Sequence, residues 1–574
     1  MSAAAATHDS TTMEQIWLKQ YPPGTSARIS PDPAASLIDV FHDSCKRFAT
    51  LPAFHNWGTT LTYAQIGQRA REFSSWLTAQ GLSKGDRIAL MMPNLLQYPI
   101  AMFGALQAGL IVVNTNPLYT PRELEHQLRD SGAVCIVVLA NFAHVLEQVI
   151  SRTQVRTVVI TQLGDLLRFP KGIVINWAAR ALKKAVPEYH IANAVNFRDA
   201  LEAGSHLRFV ARAISADDTA FLQYTGGTTG VAKGAMLTHR NLVANLEQVS
   251  ALWRSIIRDG EEVVITPLPM YHIFCLTCNC LTFFKHGGLN VLITNPRDIP
   301  AFIAELRHWK FTFISGVNTL YNALLQHPRF AELDFSHLQL GFAGGMALHP
   351  SVAERWQKTT HRDLIEGYGL TEASPVVACN LPGASRLGTV GVPLPSTEIS
   401  IRDDSRELGV GEEGELCVRG PQVMTGYWNM PQETAKALDA DGWLRTGDVA
   451  LLDSDGFLHI VDRKKDMIIV SGFKVFPNEV ETVIASHGAV LEVGCIGVPD
   501  ERSGQAVKAF IVARESLTVE QVREFCREYL TPYKVPKYVE FRPTLPKTNI
   551  GKILRRALAE ELSEEAHDRG TIAH

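Results

Sequence analysis

Short apolar runs that alternate with longer amphipathic stretches are the feature that most restricts the fold of this chain. Residues 88–92 (Ile-Ala-Leu-Met-Met), 134–139 (Val-Cys-Ile-Val-Val-Leu) and 158–160 (Val-Val-Ile) are such runs, and stretches of helical periodicity separate them. Continuous apolar runs of this length are typical of parallel strands buried on both faces, with helices as the connections. The pattern extends to about residue 460 and predicts an α/β architecture.

The C-terminal part of the sequence has a different pattern. The 574 residues exceed the ~150 residues of a typical domain several times over, so we expect at least two hydrophobic cores. Residues 457–471 contain two strand-like runs joined by the charged segment 462–466, which is compatible with a hairpin turn or a linker. Helices predicted at 478–486 and 519–529 and a strand at 506–512 then indicate a small α+β domain. The predicted domains are 1–464 and 465–574.

Composition excludes several classes of protein. Lys and Arg number 55 against 59 Asp and Glu, a formal net charge of −4, so the basic excess typical of phosphate-backbone binding is absent and we expect no nucleic-acid partner. Nine Cys at low density favour a reducing compartment. The start lacks a signal-peptide pattern, and polar residues interrupt the longest apolar tract, 88–113, which predicts strand, turn and buried helix. We therefore expect a cytoplasmic protein that acts on small molecules.

A glycine- and threonine-rich loop, which follows an apolar run at 220–222, is the densest chemical signal. Its backbone N–H groups, hydroxyls and ammonium can approach several phosphate oxygens at once. Lys233 is preceded by Ala232 and followed by Gly234, so the loop does not match the P-loop of ATPases; a flexible surface loop is the alternative. The residues predicted to hold a polyphosphate are Tyr224, Thr225, Gly226, Gly227, Thr228, Thr229, Gly230 and Lys233.

Three further motifs follow the loop. Residues 366–372 read Glu-Gly-Tyr-Gly-Leu-Thr-Glu, residues 441–448 read Asp-Gly-Trp-Leu-Arg-Thr-Gly-Asp and continue to Asp-Arg-Lys-Lys at 462–465, and residues 546–552 read Pro-Lys-Thr-Asn-Ile-Gly-Lys. Taken singly, their charged residues are most often turn or surface groups. With the loop, they make the chain resemble the adenylate-forming family of acyl-CoA synthetases, luciferases and peptide-synthetase adenylation domains, and within it the bacterial long-chain fatty acid–CoA ligases. The resemblance extends from Trp17 to Arg556.

The resemblance implies both a fold and a set of ligands. The implied N-terminal domain has α/β layers and a small β-barrel, and the implied C-terminal domain is a mobile α+β lid that turns about a hinge at Lys465. ATP and coenzyme A are the implied co-substrates, and Mg²⁺ is the implied cofactor, held by Glu372. Asp448 corresponds to the carboxylate that accepts the ribose hydroxyls, and Tyr368 to the residue that stacks on adenine. The residues implied to bind the nucleotide or coenzyme A are Gly344, Gly345, Gly367, Tyr368, Asp448, Arg463 and Gly472.

Four residues are candidates for the chemistry itself. Lys552 is similar to the lysine that bridges the reacting carboxylate and the α-phosphate, where an ammonium can stabilise developing charge. Thr371 is similar to a residue that contacts the α-phosphate, next to the metal ligand Glu372. His272 corresponds to a residue beside the acyl and pantetheine channel, for which we predict a positioning role rather than proton transfer.

The function implied is that of a long-chain fatty acid–CoA ligase. It would form acyl-AMP and pyrophosphate from a fatty acid and Mg-ATP, then transfer the acyl group to the thiol of coenzyme A and release AMP. The product would enter β-oxidation or lipid assembly. The alternatives are a ligase of the same family for medium-chain, aryl or other acids, and a catalytically silent nucleotide-binding scaffold.

Residues 166–186 combine five basic with several large apolar side chains. This composition suits an interfacial amphipathic helix as well as an ordinary surface helix. The hypothesis is reversible docking of the chain to the inner face of the membrane. The expected partners are therefore the fatty acid, ATP and coenzyme A, with membrane contact and a homodimer kept as hypotheses.

Overall fold

The computed structural model describes residues 15–225, 232–548 and 551–562. These residues form two large sheets with parallel centres, a five-stranded antiparallel sheet and a separate C-terminal sheet. The first three sheets belong to the large N-terminal part of the chain, and the fourth belongs to the small C-terminal part. The predicted mixed α/β class, with a large and a small part, is confirmed.

A seven-stranded sheet contains the apolar runs identified in the sequence. Its strands are parallel except for the last pair. In spatial order they are Val195–Asn196, Thr157–Thr161, Cys135–Leu139, Arg87–Met91, Ile111–Asn114, Thr219–Thr225 and Lys233–Thr238. Segment 88–113 forms a strand, the fully buried helix Gln97–Gln107 and the start of a second strand, as its pattern predicts.

A nine-stranded sheet brings two of the predicted motifs together. Its six central strands are parallel, and the pairs at both ends are antiparallel. In spatial order the strands are Val392–Pro393, Val376–Cys379, Leu364–Gly369, Leu340–Ala343, Phe313–Gly316, Val263–Thr266, Leu289–Leu292, Pro52–Asn56 and Thr59–Thr62. Because Leu340–Ala343 and Leu364–Gly369 are parallel neighbours, the residues at their carboxyl ends meet at one edge of the sheet, where α/β proteins bind ligands.

The region expected to form a small β-barrel is a five-stranded antiparallel sheet. Its strand order is linear among the described residues: Arg406–Glu407, Glu398–Asp403, Gly414–Arg419, Leu444–Leu452 and Leu458–Arg463. Asp448 and Arg463 are directly opposite each other on its last two strands. This register places two predicted nucleotide-binding residues side by side.

The C-terminal sheet has its own core. Its strands are Ile468–Val470, Phe473–Val475, Val490–Asp500, Gly504–Ala513 and Tyr538–Phe541, and the helices Pro477–Ala485 and Val519–Tyr529 accompany them. Buried Ile468, Val480, Ile511 and Val522 belong to one apolar cluster of this part. Strands Leu458–Arg463 and Ile468–Val470 lie in different sheets, so the charged segment between them is a linker and not a hairpin turn.

Helices cover the sheets of the large part. They are Leu37–Arg47, Tyr63–Ala79, Gln97–Gln107, Pro121–Ser131, Ala143–Glu147, Lys171–Trp177, Phe197–Ser205, His239–Trp253, Ile273–Cys275, Thr282–Lys285, Ile299–Leu306, Asn318–Gln326, Pro350–Thr360 and Pro431–Ala437. The ring centroids of Phe41 and Phe103 lie 4.1 Å apart in this core, and burial of each ring stabilises the fold by roughly 1.5–3 kcal/mol. Within the described ranges, no helix combines the length and apolar character that a membrane crossing requires.

The predicted amphipathic helix over 166–186 is shorter than its composition suggested. It forms an α-helix only over Lys171–Trp177, followed by a π-helical turn over Ala178–Leu182. Pro170 precedes the helix, and a proline disfavours helical geometry in the residue before it. The segment is therefore helical over 171–182 and not over its whole length.

Candidate active site

A cleft of about 2050 Å³ lies between the large part and the C-terminal part of the chain. All of the predicted site residues that the structure describes line it, with the exception of Gly472: they are Tyr224, Thr225, Lys233, His272, Gly344, Gly345, Gly367, Tyr368, Thr371, Glu372, Asp448, Arg463, Lys465 and Lys552. Gly226, Gly227, Thr228, Thr229 and Gly230 lie outside the described residues. Motifs more than 300 residues apart in sequence thus share one cavity.

Asp448 is an acidic group of the cleft that two neighbouring side chains hold in place. Its Oδ1 lies 2.7 Å from Nε of Arg463, and its Oδ2 accepts a hydrogen bond of 2.5 Å from the Tyr368 hydroxyl. The residue is only 3% exposed. Burial and the adjacent carboxylate raise the pKa of the Tyr368 phenol, which therefore remains a donor at neutral pH. Since each carboxylate oxygen has two lone pairs, Asp448 can accept further hydrogen bonds from a diol.

Three glycines that line the cleft near Tyr368 leave little room for a side chain or require a positive φ. A Cβ at Gly367 would lie 2.6 Å from the Phe342 ring, and a Cβ at Gly344 would lie 3.1 Å from the Phe274 ring. Gly345 has a φ of +77°, in the left-handed region that favours glycine. Larger residues at these positions would therefore displace the aromatic rings beneath or strain the backbone.

A second group of polar side chains surrounds Tyr427. The Tyr427 hydroxyl donates a hydrogen bond of 2.7 Å to Oε1 of Glu372, and the Lys233 ammonium lies 5.0 Å from the centroid of the Tyr427 ring. Lys233 also forms an ion pair with Glu433. Hydrogen bonds from Lys233 and Lys436 lower the pKa of Glu433 to about 2, so this carboxylate is charged at neutral pH.

Glu433 is a residue that the sequence patterns did not identify. It lies in the first turn of helix Pro431–Ala437, where an acidic residue is ordinarily a favourable helix-terminus charge. Its partner Lys233 is 200 positions away in sequence, so no local pattern indicates their contact. Strand pairing explains the position of Lys233, because Lys233 lies opposite Thr225 on the neighbouring antiparallel strand.

A half-buried carboxyl group, Glu366, also lines the cleft without having been assigned a role. Desolvation by burial raises its pKa to about 8. At neutral pH the carboxyl group is therefore mostly protonated and can donate a hydrogen bond. Its position in strand Leu364–Gly369 places it opposite Ala343 on the neighbouring strand.

His272 lies at the apolar side of the cleft. It precedes the short helix Ile273–Cys275, and its Nδ1 accepts a hydrogen bond of 3.3 Å from the backbone N–H of Phe274. Burial lowers its pKa to about 4, so the imidazole is neutral at pH 7. A neutral ring whose Nδ1 is occupied favours the predicted positioning role.

Lys552 enters the cleft from the C-terminal part on a tight loop. The Thr548 N–H donates to the Lys552 carbonyl oxygen at 2.7 Å, and the Lys552 N–H donates to Oγ1 of Thr548 at 3.0 Å. Desolvation in the cleft lowers the pKa of Lys552, and the positive charge of Arg463 lowers it further. Among the described residues, no hydrogen bond or ion pair holds its ammonium.

The predicted hinge Lys465 lies between the large part and the C-terminal sheet. The preceding Lys464 donates its N–H to the Gly447 carbonyl oxygen at 2.9 Å, and burial lowers the pKa of Lys465. Gly472 has a φ of +86° in the turn between Ile468–Val470 and Phe473–Val475. In this conformation it does not line the cleft.

Comparison with known proteins adds to this geometry. A family model described as AMP-binding enzyme matches residues 41–428, and a second, described as AMP-binding enzyme C-terminal domain, matches residues 479–552. The chain belongs to the AMP-binding enzyme family. Residues of both parts that line the cleft lie in the matched regions, whereas Asp448, Arg463 and Lys465 fall between the two matches.

Full-length relatives of this AMP-binding enzyme carry a more specific name. A long-chain-fatty-acid–CoA ligase of Yersinia pestis is 55% identical over 96% of this chain and 98% of the relative. A protein of the same name from Haemophilus influenzae is 50% identical over 96% of this chain and 99% of the relative. The crystal structure of ATP-bound MatB from Rhodopseudomonas palustris is 28% identical, with a TM-score of 0.77 over 91% of this chain and 98% of that chain.

Proposed function

We propose that the chain is a long-chain fatty acid–CoA ligase that uses ATP and releases AMP and pyrophosphate. The observation that carries this proposal is the presence of Lys552, from the C-terminal part, in the same cleft as Asp448 and Tyr368 from the large part. Identity of 55% over nearly the full length supports the substrate class, because the relative in question is named for long-chain fatty acids. The acyl-CoA product would then supply β-oxidation or lipid assembly.

The nucleotide would bind at the end of the cleft formed by the large part. Asp448 would accept hydrogen bonds from the ribose hydroxyls, and Tyr368 would stack against adenine near Gly344, Gly345 and Gly367. Arg463, held by Asp448, would reach the nucleotide from the adjacent strand. The loop that begins at Tyr224 and Thr225 would hold the polyphosphate, with Lys233 exchanging its Glu433 partner for phosphate oxygens.

Magnesium would be held by Glu372. Mg²⁺ is commonly bound through one or two carboxylates with substrate phosphates and water completing the coordination, so a single carboxylate at the phosphate end of the cleft fits this cation. Among the described residues, no cluster of three or more His, Cys, Asp or Glu side chains is suited to a metal. Bound there, the cation would neutralise charge on the phosphates. Tyr427 would orient the Glu372 carboxylate through its hydrogen bond.

The first step would form acyl-AMP. A fatty acid carboxylate oxygen attacks the α-phosphorus of ATP, and the bond between the α-phosphorus and the bridging oxygen breaks as pyrophosphate leaves. Lys552 would stabilise the charge that develops between carboxylate and α-phosphate, and Thr371 would hydrogen-bond the same phosphate. The absence of an ion pair at the Lys552 ammonium among the described residues suits this role, since no internal partner has to be displaced.

The second step would form the thioester. The coenzyme A thiolate attacks the acyl carbon, and the bond between this carbon and the phosphate oxygen of AMP breaks. AMP leaves with that oxygen and its negative charge. Lys552 is not needed here, but access for pantetheine is. We propose that the domains 1–464 and 465–574 reorient about Lys465, which withdraws Lys552 and brings the turn of Gly472 to the cleft. His272 would position the substrates beside the acyl channel.

Residues 166–186 support a further proposal of reversible contact with an anionic membrane. No Asp or Glu occurs in this segment. The exposed large apolar side chains are Phe169, Ile173, Val174, Trp177 and Leu182. The basic residues of the segment are Arg168, Lys171, Arg180, Lys183 and Lys184. Exposed apolar groups flanked by Lys and Arg are typical of surfaces that bind the headgroup region. The protein would then act in the cytoplasm at the inner face of the membrane.

Liposome co-sedimentation tests this contact. Combined substitution of Trp177, Lys183 and Lys184 by Ala is expected to reduce binding to anionic vesicles, and unchanged binding would contradict the proposal. Size-exclusion chromatography of the same preparations tests the hypothesis of a homodimer.

The experiment that tests the catalytic proposal is coenzyme A-dependent AMP release by the purified protein. The acids compared are acetate, octanoate, palmitate, oleate and benzoate. The highest kcat/KM is expected for palmitate and oleate. Activity confined to acetate or benzoate would replace the substrate class, and lack of turnover with every acid would favour the silent scaffold.

A further inference from the structure

Arg555 lies three residues after Lys552 at the centre of a buried polar cluster. Its Nη1 lies 2.9 Å from Oδ1 of Asp462 and 3.3 Å from Oδ2 of Asp466, and its Nη2 lies 2.7 Å from Oε2 of Glu481. Oδ1 of Asn478 accepts another hydrogen bond from the same Nη2. The Arg555 side chain is only 16% exposed. None of these five residues has a role in the chemistry proposed above.

Asp462 connects this cluster to the large part of the chain. It lies in strand Leu458–Arg463 of the five-stranded sheet, and its side chain is completely buried. Its Oδ1 accepts hydrogen bonds from the N–H of Arg463 and from Arg555, and its Oδ2 accepts one of 2.7 Å from the N–H of Asn478. The bonds from Arg555 and Asn478 both cross the boundary between residues 464 and 465.

The bond to Asn478 also completes a helix terminus. Asn478 is in the first turn of helix Pro477–Ala485, whose N-cap residue Phe476 provides no side-chain cap. A carboxylate at a helix N-terminus accepts otherwise unpaired N–H groups and interacts favourably with the helix dipole. Asp462 therefore caps a helix of the C-terminal part from a strand of the large part.

A second contact fixes the other side of the lysine loop. Thr319 of the large part donates through Oγ1 to the Gly551 carbonyl oxygen at 3.3 Å. A Cβ at Gly551 would lie 2.7 Å from the same Oγ1, and its φ of +88° also favours glycine. Lys552 thus lies between the contact of Gly551 with Thr319 and the contact of Arg555 with Asp462.

We propose that Arg555 and Asp462 are positioning residues whose bond across the domain boundary holds Lys552 in the cleft during adenylation. This inference rests on the proposed function of Lys552. The guanidinium is suited to the task because its fork binds Asp462 and Glu481 simultaneously, which an ammonium cannot reproduce. Loss of the bond would leave Asp462 buried with fewer partners and free the C-terminal part to move away from the adenylation position.

The test compares the two half-reactions in Arg555→Lys and Asp462→Asn. Palmitate-dependent ATP–pyrophosphate exchange is expected to fall by about tenfold or more, because a displacement of a catalytic group by about 1 Å costs up to about 100-fold. Thioester formation from synthetic palmitoyl-AMP and coenzyme A should stay within about twofold of wild type, as should equilibrium binding of ATP to the large part.

Arg542→Lys is the matched control. Arg542 is also 16% exposed and forms ion pairs with two carboxylates, those of Glu540 and Glu561, where Arg555 has three such partners. Both partners belong to the C-terminal part, so no bond of Arg542 crosses the boundary. This variant is expected to leave the ratio of the two half-reaction rates at the wild-type value, whatever its effect on thermal stability.

Three outcomes separate the possibilities. Equal loss of both half-reactions in Asp462→Asn, or loss of neither, would overturn the positioning role. If Arg555→Lys does not fold, the nearly isosteric Asp462→Asn decides the question. Wild-type protein that lacks palmitate-dependent exchange would instead overturn the proposed function.

Discussion

Asp448 and Lys552 line the same cleft but are held in different ways. Asp448 is only 3% exposed. It is fixed by the Arg463 guanidinium on its own sheet and by the Tyr368 hydroxyl on the nine-stranded sheet. Lys552 is carried by a loop, and within the described ranges its ammonium has no hydrogen bond or ion pair. Under the proposed function, this difference separates a group that would serve every step at the nucleotide from a group that would serve one step and then leave. Rigid fixation suits the former, and indirect fixation through neighbours suits the latter.

Removal of the Lys552 ammonium should have the largest effect and should be confined to one half-reaction. For Lys552→Ala we expect adenylation to fall by about 10²–10³-fold, since the charge that stabilises the transition state is lost. Thioester formation from supplied acyl-AMP should remain near the wild-type rate. Pyrophosphate exchange and thioester formation measure the two steps. Lys537→Ala, on the surface of the same C-terminal part, is the control, and an equal loss of both steps in Lys552→Ala would remove the distinction.

Removal of the charge of Asp448 should instead affect both half-reactions. For Asp448→Asn we expect kcat/KM to fall by about 10–100-fold with ATP and with acyl-AMP, because hydrogen bonds to a charged group contribute about 1.5–3 kcal/mol. Both ligands contain the ribose that the carboxylate would bind. Steady-state kinetics with each ligand provide the measurement. A loss seen with ATP alone would mean that Asp448 does not act on the shared AMP moiety.

Restriction of the linker should reverse the pattern seen with Lys552→Ala. Proline fixes φ, so Lys465→Pro is expected to reduce thioester formation by about tenfold while adenylation is preserved. Lys465→Ala, which leaves the backbone unrestricted, is the matched control. The same two assays apply. Equal effects of the proline and alanine variants would indicate a role of the side chain rather than of backbone motion.

The pH dependence of adenylation should show the smallest effect. Burial in the cleft and the charge of Arg463 lower the pKa of Lys552 below its ordinary value of 10.5. In the proposed role the reactive form is the ammonium, so adenylation should decrease as pH rises through this lowered pKa. We expect kcat/KM for pyrophosphate exchange in wild type to fall a few-fold as pH rises toward 10.5, at pH values where an unperturbed lysine would still be charged. Lys552→Arg should be slower but flat over this range, and a flat wild-type profile would contradict the assignment.

The sequence predicted the regular elements of the fold with good accuracy. The run at 134–139 forms strand Cys135–Leu139, and the predicted helix at 519–529 coincides with Val519–Tyr529. These elements follow from local apolar periodicity. Segment 166–186 was predicted less well, because composition indicates an amphipathic surface but does not reveal that the helix begins only after Pro170.

The candidate site was predictable only as far as its motifs extend. Motif residues from four separate segments line one cleft, yet their roles remain predictions. Glu433 and the cluster around Arg555 were not identified, because each depends on contacts between residues that are distant in sequence. Lys233 and Glu433 are 200 positions apart, and Asp462 and Arg555 are 93 apart. Such pairs carry no periodic or local signal.

The helix cap provided by Asp462 has a consequence for exchange of parts between related enzymes. Asp462 would stay with the large part in any chimera joined at residue 465, whereas Asn478 and Arg555 would come with the transplanted C-terminal part. A C-terminal part without an arginine at position 555 would leave the buried Asp462 carboxylate without its cationic partner. A large part without an aspartate at position 462 would leave the first turn of helix Pro477–Ala485 uncapped. The two parts are therefore modular only as matched pairs.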